Sequence, residues 1–241
     1  MSQATFRFAD ELSGFLRPGH RGRAFVQDCA RAATLKNAIE ALGVPHTEVG
    51  ALTVNGEPAT LQRAVRDGDA VEVAAYRYDA SQPLIFLADA HLGGLARFLR
   101  MLGLDTLHDP AWPDAEIRRI AHGESRIVLT RDRGLLMCRE IARGCYVRAI
   151  RVEAQLAEVV SRYRLSDEAR PFTLCLCCNV VLEKFPKEKA IGRVPERVLE
   201  LHQDFTHCSA CGRIYWPGTH YERMRHALDR IRGQDPNSTQ V

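Results

Sequence analysis

Two pairs of the form Cys-x-x-Cys, Cys175/Cys178 and Cys208/Cys211, constrain the C-terminal third of this 241-residue chain more tightly than any other feature. A CxxC turn presents two thiolates to one cation, and two such turns complete a tetrahedral four-thiolate site that organises a small ribbon. The 29 residues between the pairs exceed the usual template of about 15–20, and an extended ribbon hairpin absorbs the excess. A closed four-sulfur site leaves no open coordination position, so the implied zinc is structural. Cys177 offers an alternative partner for Cys178, and His207 is a weaker ligand candidate. A thiol redox role suits one CxxC better than two. Cys29, Cys138 and Cys145 read as small buried hydrophobes.

Composition excludes several classes. With 46% hydrophobic and 26% charged residues the chain is neither disordered nor collagen-like nor a coiled coil. No apolar run approaches the ~18 residues of a membrane span. The first fourteen residues lack the basic start and apolar stretch of a signal peptide. A cytoplasmic protein is expected, and its eight cysteines are not a disulfide framework. The net charge of +3 carries little information, although every basic residue in 84–170 is Arg. Arginine suits bidentate phosphate contact; a solvated surface accounts for the same charge equally well.

Residues 1–80 read as a small α/β domain. Ala4–Ala9 alternates like a half-buried strand, and Ala24–Val26 is a second, shorter one. Thr34 is placed to cap a helix through Leu35, Ala38, Ile39 and Leu42 that Gly43 ends. Val49–Val54 is a strand closed by the turn Asn55-Gly56. Asp67-Gly68-Asp69 turns into the strand Ala70–Ala74. The helix end Ala41-Leu42-Gly43-Val44-Pro45, Thr53–Gly56 and Asp67–Val71 resemble the β-grasp, ubiquitin-like family of sulfur-carrier type. Those carriers act through a free C-terminal Gly-Gly. Here the segment ends in Tyr76-Arg77-Tyr78-Asp79 and runs on, so a binding or packing module, with a possible protein partner, is expected instead.

After the linker Ser81-Gln82-Pro83, strand and helix alternate through residues 84–168. Strands are predicted over Leu84–Ala88, Thr106–His108, Arg126–Thr130 and Cys145–Val152. Helices are predicted over Leu92–Leu102 (stopped by Gly103), from Pro113 through Ile117 and Ile120, over Gly134–Ala142 (stopped by Gly144) and over Ala154–Arg164. Such alternation implies a parallel sheet covered by helices. A ribbon and helix are expected over 169–232, with Met224, Leu228 and Ile231 on one face of a helix Tyr221–Ile231, and a disordered tail over 233–241.

Functional groups of an open parallel sheet gather beyond the carboxyl ends of its strands. Asp89 follows the first strand, Asp132 the third, and Asp114 lies beyond the second with Asp109 and Glu116 nearby. Grouped carboxylates repel unless a divalent cation joins them. Mg²⁺ or Mn²⁺ favours oxygen ligands and supports in-line phosphoryl displacement. The same residues are also good helix caps. Asp105 and Asp109 read as turn residues, and His91 as a surface residue or one outside the ligand set.

The segment Leu87-Ala-Asp89-Ala-His-Leu-Gly93-Gly-Leu-Ala-Arg97-Phe-Leu-Arg100-Met-Leu-Gly103-Leu-Asp105-Thr106 resembles the mut-seven C-terminal RNase domain family, and Arg126-Ile-Val-Leu-Thr130-Arg131-Asp132-Arg133-Gly-Leu-Leu136 matches its second signature. The resemblance covers residues 3–230. It implies a PIN-like fold followed by a zinc ribbon, often preceded by a ubiquitin-like domain. It also implies a metal-dependent ribonuclease with Asp89 and Asp132 as metal carboxylates and Asp114 as the third, leaving a 5′-phosphate and a 3′-hydroxyl. His91 stands where the family usually has an acidic or apolar residue. The family's CxxCN turn favours Cys175 over Cys177 as partner of Cys178.

Arg97, Arg100, Arg131 and Arg133 flank these motifs and are candidate phosphate contacts; pairing of Arg97 or Arg131 with a core carboxylate is the structural alternative. In the ribbon, Lys184, Lys187, Lys189, Arg193, Arg197 and Arg213 are interleaved with Tyr215, Trp216, His220 and Tyr221, and Arg223 and Arg225 follow. Such a mixture suits unpaired RNA bases, while Trp216 reads better as packing of the ribbon against the PIN-like domain. The expected function is therefore RNA hydrolysis; the alternative is a non-catalytic RNA-binding adaptor built on the same ribbon and platform.

Overall fold

The computed structural model describes residues 2–165 and 170–218. The predicted helix Tyr221–Ile231, the tail 233–241 and the candidates His220, Tyr221, Arg223 and Arg225 lie outside the described residues. The chain forms two compact units that interleave in sequence: Met1–Pro83 with Trp112–Tyr146, and Leu84–Ala111 with Val147–Val241.

The first unit opens with β1 (Ser2–Phe8), β2 (Phe25–Cys29), α1 (Leu35–Ala41), β3 (Val49–Val54), β4 (Glu57–Ala59) and β5 (Asp69–Ala75). These strands form one mixed sheet in the order β2-β1-β5-β3-β4, with β1 and β5 parallel and the other pairs antiparallel. Period-two alternation turns Ala4, Phe6 and Phe8 into one core with Leu35, Ala38 and Ile39 of α1. Thr34 caps α1 as predicted, its hydroxyl accepting from the Asn37 amide at 3.2 Å. Asn55 and Gly56 both take left-handed φ, 56° and 86°, as the tight β3–β4 hairpin requires.

Asp69 joins the turn before β5 to its surroundings. Its carboxylate accepts from Arg63 Nη1 (2.6 Å), Arg63 Nη2 (3.1 Å), the Arg66 amide (2.8 Å) and Asn55 Nδ2 (3.2 Å). The Arg63 hydrogen bond, against the cost of burial, holds the Asp69 carboxyl below the usual carboxylate range. A group whose folded pKa is depressed adds stability above its unfolded pKa of about 3.9 and loses it as pH falls through the folded value. The ubiquitin-like segment is therefore expected to weaken below about pH 4. An Asp69→Asn variant should show a flatter acid limb when the unfolding midpoint is followed against pH.

The chain next enters the second unit with β6 (Phe86–Ala88), α2 (Gly93–Met101) and β7 (Thr106–Leu107). β6 and β7 are parallel, with Phe86 opposite Thr106 and Leu87 opposite Leu107. The crossover helix α2 buries Leu95, Ala96 and Leu99. Its Gly93-Gly94 start has a packing cause: a Cβ at 93 would lie 2.9 Å from His108 Cε1, and one at 94 would lie 2.8 Å from Val152 Cγ2. Gly103 ends α2 with φ 80°, as predicted, and does more. Residues 170–173 run across it, with the Arg170 amide donating to Leu102 O and the Phe172 amide to Met101 O, both at 2.8 Å. A Cβ at 103 would fall 2.2 Å from Arg170 O. Gly103→Ala is expected to cost about 3 kcal/mol or more, from the left-handed backbone and the backbone clash together; denaturant unfolding of the variant beside the parent reads this directly.

Back in the first unit lie α3 (Asp114–Glu124), β8 (Ile127–Thr130), α4 (Arg133–Met137) and β9 (Gly144–Tyr146). β8 and β9 run parallel, Val128 opposite Gly144 and Thr130 opposite Tyr146. Three sequence expectations change here. α4 stops at Met137 rather than Ala142, because Cys138 is already extended (φ −64°, ψ 136°). Gly144 is no helix stop but the first residue of β9, where a Cβ would meet Leu136 Cδ2 at 2.5 Å. β9 is also shorter than the strand predicted to Val152, and Val152 opens α5 (Val152–Tyr163). Beyond β9 the Arg148 and Ala149 amides donate to the Glu158 carboxylate at 3.0–3.1 Å, so a side chain replaces the strand ladder. α5 buries Leu156, Val159 and Val160 as predicted, with Gln155 and Tyr163.

The ribbon of the second unit contains β10 (Glu183–Phe185), α6 (Lys187–Ala190), α7 (Glu196–Leu201), β11 (Phe205–His207) and β12 (Ile214–Tyr215). Its antiparallel sheet runs β10-β11-β12. The long spacer between the CxxC pairs is thus not a plain hairpin. It holds two short helices, each beginning directly after a proline, Pro186 and Pro195. Phe185, Ala190, Val194 and Phe205 make a small core of their own, with Trp216 packed against it.

Candidate functional site

The four predicted zinc cysteines come together. The sulfur atoms of Cys175, Cys178, Cys208 and Cys211 all lie within 4.8 Å of one another. Cys175 Sγ and Cys211 Sγ are 3.8 Å apart, matching the ~3.8 Å edge of a tetrahedron with zinc–sulfur bonds of ~2.3 Å. Among the described residues this is the group of three or more metal-ligating side chains that closes on a common point. Cys177 and His207 stand outside it, so Cys175 is the partner of Cys178. The His207 ring stacks on Phe185, 4.8 Å between centroids.

Each CxxC folds as the same turn. The Asn179 amide donates to Cys175 O at 3.0 Å, and the Gly212 amide to Cys208 O at 2.9 Å. The Cys175 amide then donates to Val180 O (2.7 Å) and the Cys208 amide to Arg213 O (2.9 Å). The Tyr215 hydroxyl lies 3.1 Å from Cys175 Sγ. Burial opposes ionisation of Cys175, yet the hydrogen bonds from Tyr215 and from the Cys178 and Cys177 amides prevail and bring its thiol down to about 6. Cys178, hydrogen-bonded to Cys211, partly desolvated and beside the Cys175 charge, is pushed up to about 12. Burial and the neighbouring Cys175 push the Tyr215 phenol up as well. Four thiolates at this distance need a dication, and a zinc ion entering here would displace the remaining thiol protons. The donor set therefore fits zinc.

Two of the three candidate carboxylates, Asp89 and Asp132, occupy caps. Asp89 follows β6 directly and its Oδ1 accepts from the Ala90 amide at 2.6 Å. Asp132 caps α4, Oδ1 accepting from Gly134 N at 2.7 Å and Leu135 N at 3.4 Å, while its own amide donates to Thr130 Oγ1 at 2.9 Å. Asp114 is the first residue of α3, after Pro113. Asp89 and Asp132 thus each stand beyond the carboxyl end of a parallel strand, within their own units. Asp109 Oδ1 accepts from the Ala111 amide at 2.9 Å, a turn role as predicted. His91 is exposed. His108 Nε2 lies 3.2 Å from Ala90 O beside the start of α2.

The arginines separate into two groups. Arg97 and Arg131 are exposed. Arg100 is only 4% exposed, and its guanidinium is committed to carbonyl oxygens: Thr106 O at 2.8 Å, Leu176 O at 3.0 Å and Cys177 O at 2.8 Å. Arg133 donates to Gly14 O (3.0 Å) and Phe15 O (3.3 Å) and sits over the Phe15 ring at 4.9 Å. Arg100 and Arg133 are thus both engaged by carbonyls of their own units. Trp216 packs on the ribbon's own core.

Sequence reasoning missed Asn179. Its Nδ2 donates to Asp105 Oδ1 at 2.6 Å and its Oδ1 accepts from the Thr106 amide at 3.0 Å. A signal was present: an Asn follows the first CxxC where a Gly follows the second.

Fold and site together define an α/β chain with a ubiquitin-like beginning, paired parallel strands with aspartates beyond their ends, and a cluster of four cysteines that could hold a metal. The chain belongs to the Mut7-C RNAse domain family, whose sequence profile matches residues 85–228. The Mut7-C ubiquitin profile matches residues 1–80. Among solved structures, the crystal structure of H. volcanii small archaeal modifier protein 1 is 20% identical, covering 31% of this chain and 97% of that one, with a TM-score of 0.25. No curated protein matches the sequence. No helix among the described residues is long and apolar enough to cross a membrane.

Proposed function

We propose that this protein is a cytoplasmic, metal-dependent ribonuclease that hydrolyses RNA phosphodiester bonds. The observation that supports it most is the family match over 85–228 combined with aspartates at the ends of two parallel strands, where functional groups of such sheets gather. In this reading residues 1–80 are a ubiquitin-like docking domain, 84–168 a PIN-like nuclease domain and 169–232 the zinc ribbon. Asp89, Asp114 and Asp132 would hold Mg²⁺ or Mn²⁺. When bound, that ion supplies charge neutralisation at the scissile phosphate and lowers the pKa of water. The exposed Arg97 and Arg131 would contact phosphate, and the ribbon's Lys184, Lys187, Lys189 and Arg197 would hold flanking RNA.

The caps at Asp89 and Asp132 favour a second reading, a non-catalytic RNA-binding adaptor in which both aspartates serve the fold alone. The two readings part on metal. Cleavage of RNA that needs Mn²⁺ and stops with EDTA supports the nuclease. Salt-sensitive RNA binding that is indifferent to EDTA, with no cleavage, supports the adaptor.

A further inference from the structure

The two cysteine turns share their backbone bonding but differ at the residue after the second cysteine. Asn179 and Gly212 both have left-handed φ, 62° and 69°. Glycine takes that conformation without cost and asparagine at some cost, so the turn alone accounts for Gly212 and not for Asn179. What Asn179 adds is its side chain, which donates to Asp105 Oδ1 and accepts from the Thr106 amide.

The other backbone group of Thr106 is also held from the cysteine turn. Thr106 O accepts from Arg100 Nε, and Arg100 Nη1 is in turn bound by the carbonyls of Leu176 and Cys177, the two residues between the first zinc cysteines. Arg100 is buried, so these bonds are made away from competing water. Thr106 faces Phe86 in the parallel pair β6–β7, and the Phe86 amide donates to Asp105 O at 2.8 Å. β6 ends one residue before Asp89.

We propose that Asn179 and Arg100 are positioning residues that couple zinc binding in the ribbon to the order of β7, and through β7 to β6 and the Asp89 at its end. The zinc turn then braces a strand of the adjoining sheet as well as its own ribbon. Coupling of this kind is reciprocal: zinc orders β7, and an ordered β7 tightens zinc. The importance given to Asp89 rests on the ribonuclease reading; the coupling itself does not.

The test uses the full chain and Asn179→Gly, which keeps the left-handed turn in the form Gly212 already takes. Amide exchange at Phe86 is followed with zinc bound and after a strong chelator has removed it, and zinc retention is followed by competition with a chromophoric chelator. In the parent, zinc removal should speed Phe86 exchange about tenfold or more, and Asn179→Gly with zinc bound should already show most of that increase. The variant should also surrender zinc at about tenfold lower chelator concentration. Asn179→Asp, which sets a carboxylate against Asp105, should move both readings further in the same direction. Gly212→Asn should leave Phe86 unchanged. Parent-like Phe86 exchange and zinc retention in Asn179→Gly, or Phe86 exchange indifferent to zinc in the parent, would overturn the coupling. Where RNA is cleaved, Asn179→Gly should lower kcat with little change in KM. A parent that never cleaves RNA counts against the ribonuclease reading and leaves the exchange result standing.

Discussion

Replacing Cys208 with Ser should empty the metal site and unfold the ribbon. Cys208 is fully buried and its sulfur shares the site with three others. A structural zinc contributes on the order of 10–16 kcal/mol of binding free energy, far more than the small core around Phe185 and Phe205 supplies by burial at about 2–3 kcal/mol per large side chain. Zinc content should fall from one per chain to near zero by atomic absorption, and the ribbon amides should lose their exchange protection. Zinc content near one in Cys208→Ser would mean that a different set of ligands holds the metal. Acid should act the same way on the parent, since protons compete with zinc for the thiolates.

The second large effect is expected at Asp132. Its carboxylate caps α4, and asparagine caps a helix about as well as aspartate. Asp132→Asn should therefore keep its unfolding free energy to within about 0.5 kcal/mol of the parent. It removes a charge that a divalent cation needs, so Mn²⁺-dependent cleavage should fall by about a hundredfold or more. Stability and activity thus move independently, which separates a metal carboxylate from a cap. Equal losses in both would assign Asp132 to the fold.

Much of the fold could be read from the residues because the signals were local. Thr34, Gly43, Asn55-Gly56 and Gly103 each sit where a cap, a stop or a turn needs that side chain or that φ. The clustering of the four cysteines was legible for the same reason: a CxxC turn is nearly self-contained. What failed depended on contacts far apart in sequence. The end of β9 follows from Glu158 taking the amides of Arg148 and Ala149, and Gly144 from the approach of Leu136. The partners of Arg100 and Arg133 were not legible, because charge is visible in a sequence and a carbonyl far along the chain is not. The carbonyls that hold Arg100 come from Leu176 and Cys177, and Asn179 found its partners at Asp105 and Thr106. Neither link has a spacing rule that would reveal it.

Hydrolysis at the carboxylates is tested most directly by cleavage of a mixed set of end-labelled RNAs. The zinc-loaded full chain is assayed with Mn²⁺ beside the Asp89→Asn/Asp132→Asn double variant. Metal-dependent cleavage by the parent, loss of cleavage in the variant and RNA binding retained by both are expected. RNA bound by both and cut by neither, or cut equally by both, would contradict a carboxylate-centred ribonuclease.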